Sequence, residues 1–355
     1  MSKSYSIAVI PGDGIGREVV PAAQAVLDLC ASRFGFSLEW EEFDWSCERY
    51  VKTGSMMPED GLDRLRPADG IFLGAVGFPG VPDHVSLWGL LIPIRRAFDQ
   101  YINLRPVKSL KGVPGALSSP FADKIDLCVV RENSEGEYSE IGGRINRGRE
   151  DEAAIQQSVF TRQGCDRVMR YAFDLAERRS RRVASATKSN GIIHSMPFWD
   201  ERFDAIANEY PEVETSRYHI DILTAHFVRH PEWFDVVVAS NLFGDILSDL
   251  GPALVGSIGI APGANINPER RHPSMFEPVH GSAPDIAGQG VANPIGQVWS
   301  GAMMLEHLGE PEAARCVEAA IEELLADPSA PRTRDLGGTA MLRDVTFALK
   351  SIISH

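Results

Sequence analysis

Asp245 and Asp249 stand four residues apart in Asn241-Leu242-Phe243-Gly244-Asp245-Ile246-Leu247-Ser248-Asp249, directly after the β-branched run Asp235-Val236-Val237-Val238-Ala239. On a helix that spacing stacks both carboxylates on one face. Two like charges there are mildly destabilising unless a cation sits between them. Oxygen ligands of this kind suit Mg2+ or Mn2+. A solvated acidic face has the same spacing; a site is favoured by position, since the pair opens a helix at the carboxyl end of a strand, where α/β proteins place ligands. Arg95 and Arg105 flank a mostly apolar stretch, and Arg131 closes the run Leu127-Cys128-Val129-Val130. One such arginine is ordinarily a surface or salt-bridge residue. Three at element ends, in a chain of net charge −14, look like a clamp for carboxylates, which the planar guanidinium binds two bonds at a time. Lys188 is one of only seven lysines and follows a buried run. Partial desolvation there would lower its pKa and make it a base, although an ordinary exposed lysine has equal claim.

Two glycine-containing segments could hold a cofactor. Gly12-Asp13-Gly14-Ile15-Gly16 has Arg17 where the third glycine of a dinucleotide fingerprint belongs, and no acidic strand end follows about 20 residues later. Alone it reads as a tight strand-to-helix turn. Glu277-Pro278-Val279-His280-Gly281-Ser282-Ala283-Pro284-Asp285-Ile286-Ala287-Gly288, continuing to Asn293-Pro294, is rich in small residues that let backbone amides approach a phosphate or sugar.

The elements that must position these groups alternate along the chain. Strands are predicted over 7–11, 37–45, 70–75, 125–131, 183–187 and 235–239, and helices over 17–34, 58–66, 86–101 and 311–327, with a last helix after Gly337-Gly338-Thr339. Pro93 should weaken the first turns of the helix at 86–101. The apolar, β-branched runs suit parallel strands covered by helices on both sides, so the fold class is α/β. Residues 135–152, rich in glycine and charge, read as a surface loop or an arm reaching to another subunit.

The 355 residues favour two domains at about 150 residues each. Ordinary proportions of hydrophobic (44%) and charged (24%) residues exclude a disordered or collagen-like chain. No apolar stretch approaches the ~18 residues of a membrane span, and the acidic balance argues against nucleic acid. Five scattered cysteines, never spaced C-x-x-C, disfavour disulfide scaffolds and zinc ribbons. With no secretory leader in the opening residues, a soluble cytoplasmic protein is expected.

Taken together, the blocks resemble the β-decarboxylating dehydrogenases, which include isocitrate, 3-isopropylmalate and tartrate/D-malate dehydrogenases. The resemblance runs from Ile7-Ala8-Val9-Ile10-Pro11-Gly12-Asp13-Gly14-Ile15-Gly16 to beyond Asn293, and is most specific at Asn241–Asp249 and Glu277–Gly288. It implies a two-domain α/β fold of the isopropylmalate-dehydrogenase type, not a Rossmann fold. The large NAD-binding domain would be discontinuous, residues 1–100 and 257–355; the small domain, 101–256, would carry the dimer interface, an intersubunit arm at 135–152 and the metal ligands. Arg95, Arg105 and Arg131 would hold the carboxylates of a malate-like substrate, and Tyr138 and Lys188 would be the acid–base pair. Asp221, Asp245 and Asp249 would bind Mg2+ or Mn2+, with Lys188 and Asp221 supplied by the second copy of a homodimer, and Asp221 would relay the proton. His280, Gly281, Ser282, Ala283, Asp285, Ile286 and Asn293 fall where the family binds the adenosine half of the dinucleotide. Asp285 would accept both ribose hydroxyls and repel a 2′-phosphate, which points to NAD; K+ is a further cofactor the resemblance admits. The charges of a dianionic substrate, a divalent cation, three arginines and three aspartates cancel with Lys188 neutral, so an acidic protein can bind an anion locally.

The helix before Arg95 discriminates within the family. Isocitrate enzymes place Ser and Asn six and four residues before the arginine, where this chain has Gly89 and Leu91. Isopropylmalate enzymes keep an acidic residue seven before it, where this chain has Trp88, which would fill the space an isopropyl group needs. The segment Pro82-Asp83-His84-Val85-Ser86-Leu87-Trp88-Gly89 resembles the tartrate/D-malate branch. The expected activity is NAD-dependent oxidative decarboxylation of a C4 2-hydroxy acid, (R)-malate to pyruvate and CO2, with tartrate also a substrate. The alternatives are 3-isopropylmalate dehydrogenase and a non-catalytic regulatory subunit of an isocitrate-dehydrogenase-like complex; such subunits usually lose part of the metal or acid–base set, which is complete here.

Overall fold

A computed structural model of the chain describes residues 3–117 and 122–355. Among these residues one sheet runs through the molecule. Its first strands are β1 (Lys3–Gly12), β2 (Phe36–Glu42), β3 (Gly70–Ala75), β4 (Ile102–Lys108) and β5 (Asp126–Glu132). Two short strands, β6 (Gly142–Ile145) and β7 (Ala153–Gln156), pair only with each other. The main sheet continues with β8 (Arg182–Thr187), β9 (Glu214–His219), β10 (Val236–Ala239), β11 (Pro262–Ile266) and β12 (Ser274–Pro278). The order across it is β2-β1-β3-β12-β11-β4-β5-β10-β8-β9.

The expected parallel strands form the two ends. β2, β1, β3 and β12 are parallel neighbours, and so are β5, β10, β8 and β9. The middle adds two strands outside that pattern, because β11 and β4 run antiparallel to the strands beside them. These two carry Asn103, Arg105 and Asn265 among their buried residues. They therefore lack the unbroken apolar run that marks a parallel strand buried on both faces. β3, by contrast, is buried at every position and has the bounds predicted for it.

The first helix, Gly16–Phe34, ends at Gly35 in the left-handed conformation that glycine tolerates. The helix before Arg95 departs most from expectation. It starts earlier, at Asp83, continues through a π-helical turn, Leu87–Leu91, and closes as Ile92–Ala97. Pro93 has no N–H for the carbonyl four residues back and its ring crowds that carbonyl; widening the preceding turn accommodates it without ending the helix. The 135–152 segment supplies β6 of an antiparallel ribbon whose second strand, β7, lies just past its end, and the ribbon is exposed at each of its eight positions. No helix of the described residues is long and apolar enough to cross a membrane.

Candidate active site

The three arginines are brought together at the middle of the sheet. Arg95 lies in the last turn of Ile92–Ala97, Arg105 on β4, and Arg131 on β5, and all three are buried. Arg95 Nη2 donates to Glu277 Oε1 at 2.8 Å, and Asn265 Nδ2 donates to the same oxygen at 2.7 Å. Arg105 Nε donates to Asn103 Oδ1 at 2.9 Å, and Asn103 Nδ2 to Asn265 Oδ1 at 2.8 Å. Asn133 Nδ2 joins the same oxygen at 2.9 Å. A chain of buried amides thus ties the first two arginines to one carboxylate. Burial opposes the charge on Glu277, but Arg95 and Arg105 outweigh it and hold the carboxyl below its usual pKa. Burial lowers Arg105 to about 10, assisted by repulsion from Arg131 and Arg95. It remains charged at neutral pH. Two donors in this cluster, Arg95 Nε and Arg105 Nη1, are buried without a hydrogen-bond partner, which is costly unless an anion supplies the acceptors.

Arg131 points at the helix Asn241–Val255 that follows β10. Its Nε and Nη2 both donate to Asn241 Oδ1, at 3.0 and 2.7 Å, and Nη1 is paired with Asp245. The helix can approach because residue 244 is glycine: a Cβ there would lie 2.5 Å from Arg131 Cβ. The other oxygen of Asp245 accepts from the Tyr138 hydroxyl, and the Arg131 guanidinium lies 5.4 Å from the Tyr138 ring centroid. Burial, then the bond to Asp245, pushes the Tyr138 phenol up to about 12, so it holds its proton at neutral pH. Partial burial, then repulsion from Asp245, raises the Asp249 carboxyl above its usual pKa. A cation placed between these two oxygen donors would relieve that repulsion, and their hard, all-oxygen character fits Mg2+ or Mn2+.

Lys188 and Asp221 form a separate pair. Lys188 Nζ donates to Asp221 Oδ1 at 2.8 Å, and the aspartate is largely exposed. The lysine bond comes first in holding the Asp221 carboxyl below its usual pKa. Within one chain Asp221 does not join Asp245 and Asp249: among the described residues no group of three or more His, Cys, Asp or Glu side chains is placed to hold a metal ion.

On the far side, the turn Gly12–Gly16 and the 280–293 loop pack backbone against backbone. Ile15 N donates to Ser282 O at 2.9 Å, and a Cβ on Gly14 would lie 2.0 Å from that same oxygen. Asp13 is fully buried and accepts from the amides of Cys47, Glu48 and Gly77, while Glu18 accepts from the amides of Gly288 and Gly290. Burial lowers the His280 pKa, and its Nε2 is buried without a partner. A neutral imidazole with a free nitrogen suits an uncharged heterocycle such as adenine. Asp285 is exposed beside it, with Gly281 exposed, Ser282 buried and Ala283 and Ile286 half-buried. Asn293 is turned inward, donating to Asp335 at 3.0 Å and accepting from Ile295 N at 3.0 Å; its amide serves the loop's shape. Trp88 and Leu91, both half-buried, sit on the π-helical turn.

Residue types alone missed several partners: Glu277 as the carboxylate between two arginines, Asn103, Asn133 and Asn265 as the amide chain, and Asn241 as the acceptor for Arg131. Asn103 stands two residues before Arg105 on its strand, and Asn241 four before Asp245 on its helix. Those spacings put each on the same face as its neighbour and were the available signal.

Comparison with known proteins finds relatives over nearly the whole chain. Residues 6–349 match the isocitrate/isopropylmalate dehydrogenase family. The chain is 56% identical to the D-malate dehydrogenase [decarboxylating] of Escherichia coli, covering 99% of each. It is 54% identical to the tartrate dehydrogenase/decarboxylase of Pseudomonas putida, over 99% of this chain and 98% of that protein. The crystal structure of isocitrate dehydrogenase from Methylococcus capsulatus superposes with a TM-score of 0.89 at 36% identity, over 99% of this chain and 100% of that one. A family match over nearly the whole length, with relatives more than half identical across it, establishes that this chain belongs to the isocitrate/isopropylmalate dehydrogenases.

Proposed function

We propose that the protein is an NAD- and divalent-metal-dependent dehydrogenase that converts (R)-malate to pyruvate and CO2 and also accepts tartrate. The observation that carries this is the buried arginine cluster with two unpartnered donors, set beside Asp245 and Tyr138. A short diacid supplies acceptors for those donors, and relatives named for D-malate and tartrate support the same substrate class.

Arg95, Arg105 and Arg131 hold the two carboxylates and fix the chain between them. Lys188, from a second copy, accepts the proton of the C2 hydroxyl, with Asp221 as its relay. Tyr138 returns a proton to C3 after CO2 has left. Bound NAD would take up the hydride, and Mg2+ or Mn2+ held by Asp245, Asp249 and Asp221 of the second copy would draw electron density from the hydroxyl and carboxylate oxygens. Asp285, whose carboxylate makes no hydrogen bond among the described residues, accepts the two ribose hydroxyls and disfavours a 2′-phosphate, so the dinucleotide is NAD. His280, Gly281, Ser282, Ala283 and Ile286 form the rest of that subsite, and Asn293 holds its loop in shape. Trp88 and Leu91 face the substituent on C3 and leave room for hydrogen or hydroxyl, not isopropyl.

The reading includes a homodimer with shared sites, supported by the absence, among the described residues, of a cluster joining Asp221 to Asp245 and Asp249 within one chain. Exposed apolar side chains support it: Leu242 and Ile246 on Asn241–Val255, Ile222 on the adjoining helix Ile220–Arg229, and Ile145 and Ile155 on the β6–β7 ribbon, which would be the intersubunit arm. The same reading divides the chain into a large domain, 1–100 with 257–355, and a small one, 101–256. Five unpaired cysteines, four of them buried, fit a reducing compartment such as the cytoplasm.

The test is NADH formation measured across a panel of hydroxy diacids, with Mn2+ and with or without K+. (R)-malate and tartrate are expected to react and exhaustive chelation to stop turnover. Preference for 3-isopropylmalate would overturn the substrate, full activity after chelation would overturn the metal, and no oxidation of any hydroxy diacid would favour a non-catalytic subunit.

A further inference from the structure

Arg96 follows Arg95 but turns away from the arginine cluster. Its guanidinium carbon lies 5.0 Å from the centroid of the Trp88 ring. Its Nη2 donates to the Tyr138 backbone carbonyl at 3.1 Å, and its Nη1 pairs with Glu140 at 2.9 Å. One side chain therefore touches both the ring that faces the C3 substituent and the main chain that carries the proton donor.

The π-helical turn makes this contact possible. In a regular helix, residues eight apart have passed the common face by most of a quarter turn. The π turn Leu87–Leu91 accommodates about one extra residue. Trp88 and Arg96 are then disposed like residues seven apart, which return to nearly the same face after two turns. Arginine suits the position because a planar guanidinium can lie against an indole and donate at its edge at the same time; a lysine ammonium is a point charge without that plane. The Glu140 pair is solvent-exposed on its acidic side and by itself contributes little.

We infer that Arg96 is a positioning residue that couples substrate selectivity to proton delivery: it holds the Trp88 ring against the C3 substituent and holds the Tyr138 backbone so that the hydroxyl reaches C3. This rests on the function proposed above. Without Arg96 the ring is free to swing aside and the strap at 138–140 loses its tie to the helix. Larger C3 substituents would then be admitted, and protonation of the enol carbon would pass to solvent.

Two readouts test the coupling in Arg96→Met and Arg96→Lys. The first is the ratio of kcat/KM for (R)-malate to that for 3-isopropylmalate. The second is the configuration of the new C–H bond in pyruvate when stereospecifically tritiated (R)-malate is turned over in D2O. Arg96→Met is expected to lower the ratio at least tenfold and to scramble the configuration, whereas a merely weakened fold would lower activity and leave both unchanged. Arg96→Lys, which keeps the charge and stem, is expected to move both readouts in the same direction by a smaller amount, and serves alone if the methionine variant does not fold. An active wild type whose ratio and configuration are unaltered in the foldable variants overturns this inference and leaves the proposed function standing. A wild type inactive on both (R)-malate and tartrate overturns both.

Discussion

The arginine cluster and the Lys188–Asp221 pair are the two halves of the proposed site, and they are built differently. The arginines are buried and linked by asparagines and a glutamate, two of them on strands in the middle of the sheet and Arg95 on the helix that packs there. Lys188 and Asp221 stand nearer the surface, in contact with each other and apart from Asp245 and Asp249. Groups that must hold a multivalent anion gain from preorganisation, because their desolvation is completed when the chain folds and does not have to be repeated at binding. Groups lent to another copy have to remain on an outer surface until the copies meet. Under the proposed function, the contrast separates the chemistry one chain would carry from the part that would need two.

Hybrid dimers test that division most strongly. Arg131→Gln and Lys188→Met should each abolish turnover as homodimers. The first removes the buried partner of Asp245, whose own side chain is 37% exposed. If sites are shared, a dimer holding one chain of each kind has one site with both lesions and one with none. Co-expression at equal levels should then restore about a quarter of wild-type activity, since half the dimers are hybrids with one intact site. A mixture as inactive as its parents would show that each chain completes its own site.

A smaller effect is expected on the dinucleotide side, which the proposed function builds from one chain. Asp285→Lys replaces a negative charge near the ribose with a positive one, and should shift the ratio of kcat/KM for NAD over NADP by roughly tenfold or more toward NADP, or about 1.4 kcal/mol. High salt should blunt the shift because the residue is exposed. An unchanged ratio would remove Asp285 from the site.

The last effect is on stability, and concerns two histidines whose charged form burial opposes. Burial lowers the pKa of His280, and burial with Arg270 nearby lowers His307 to about 4 from 6.5. The unfolded chain therefore binds these protons more readily than the folded one, so their contribution is fully present above pH 6.5 and lost as the pH falls from there toward 4. Urea midpoints measured across that range should fall, and His307→Gln should flatten the fall; an equal slope in the variant would discount the residue.

The fold was legible where local pattern and burial agree. β3 was predicted with its observed bounds because an unbroken apolar run suits a strand covered on both faces. The helix Asn241–Val255 was legible from its motif and from the strand before it. β11 and β12 were not, since Pro262-Gly263-Ala264-Asn265-Ile266 and Ser274-Met275-Phe276-Glu277-Pro278 lack β-branched runs and carry buried polar groups that only neighbouring strands satisfy. The π-helical turn was invisible for a related reason: a proline predicts disruption, and packing around Leu90, Ile92 and Ile94 decides that the helix widens instead of ending.

By themselves, the residues determined which groups could do chemistry: carboxylates at helical spacing, guanidiniums at element ends, small residues in the loop at 277–288. Spacing along a chain governs what a helix or strand presents on one face, so these were readable locally. Only the tertiary structure decided that Arg95, Arg105 and Glu277 meet, that Asp245 lies between Arg131 and Tyr138, and that Asp221 lies elsewhere. Those contacts join residues about 30 to 180 positions apart, and no local preference fixes how distant strands are ordered in a sheet; burial of the whole apolar surface does.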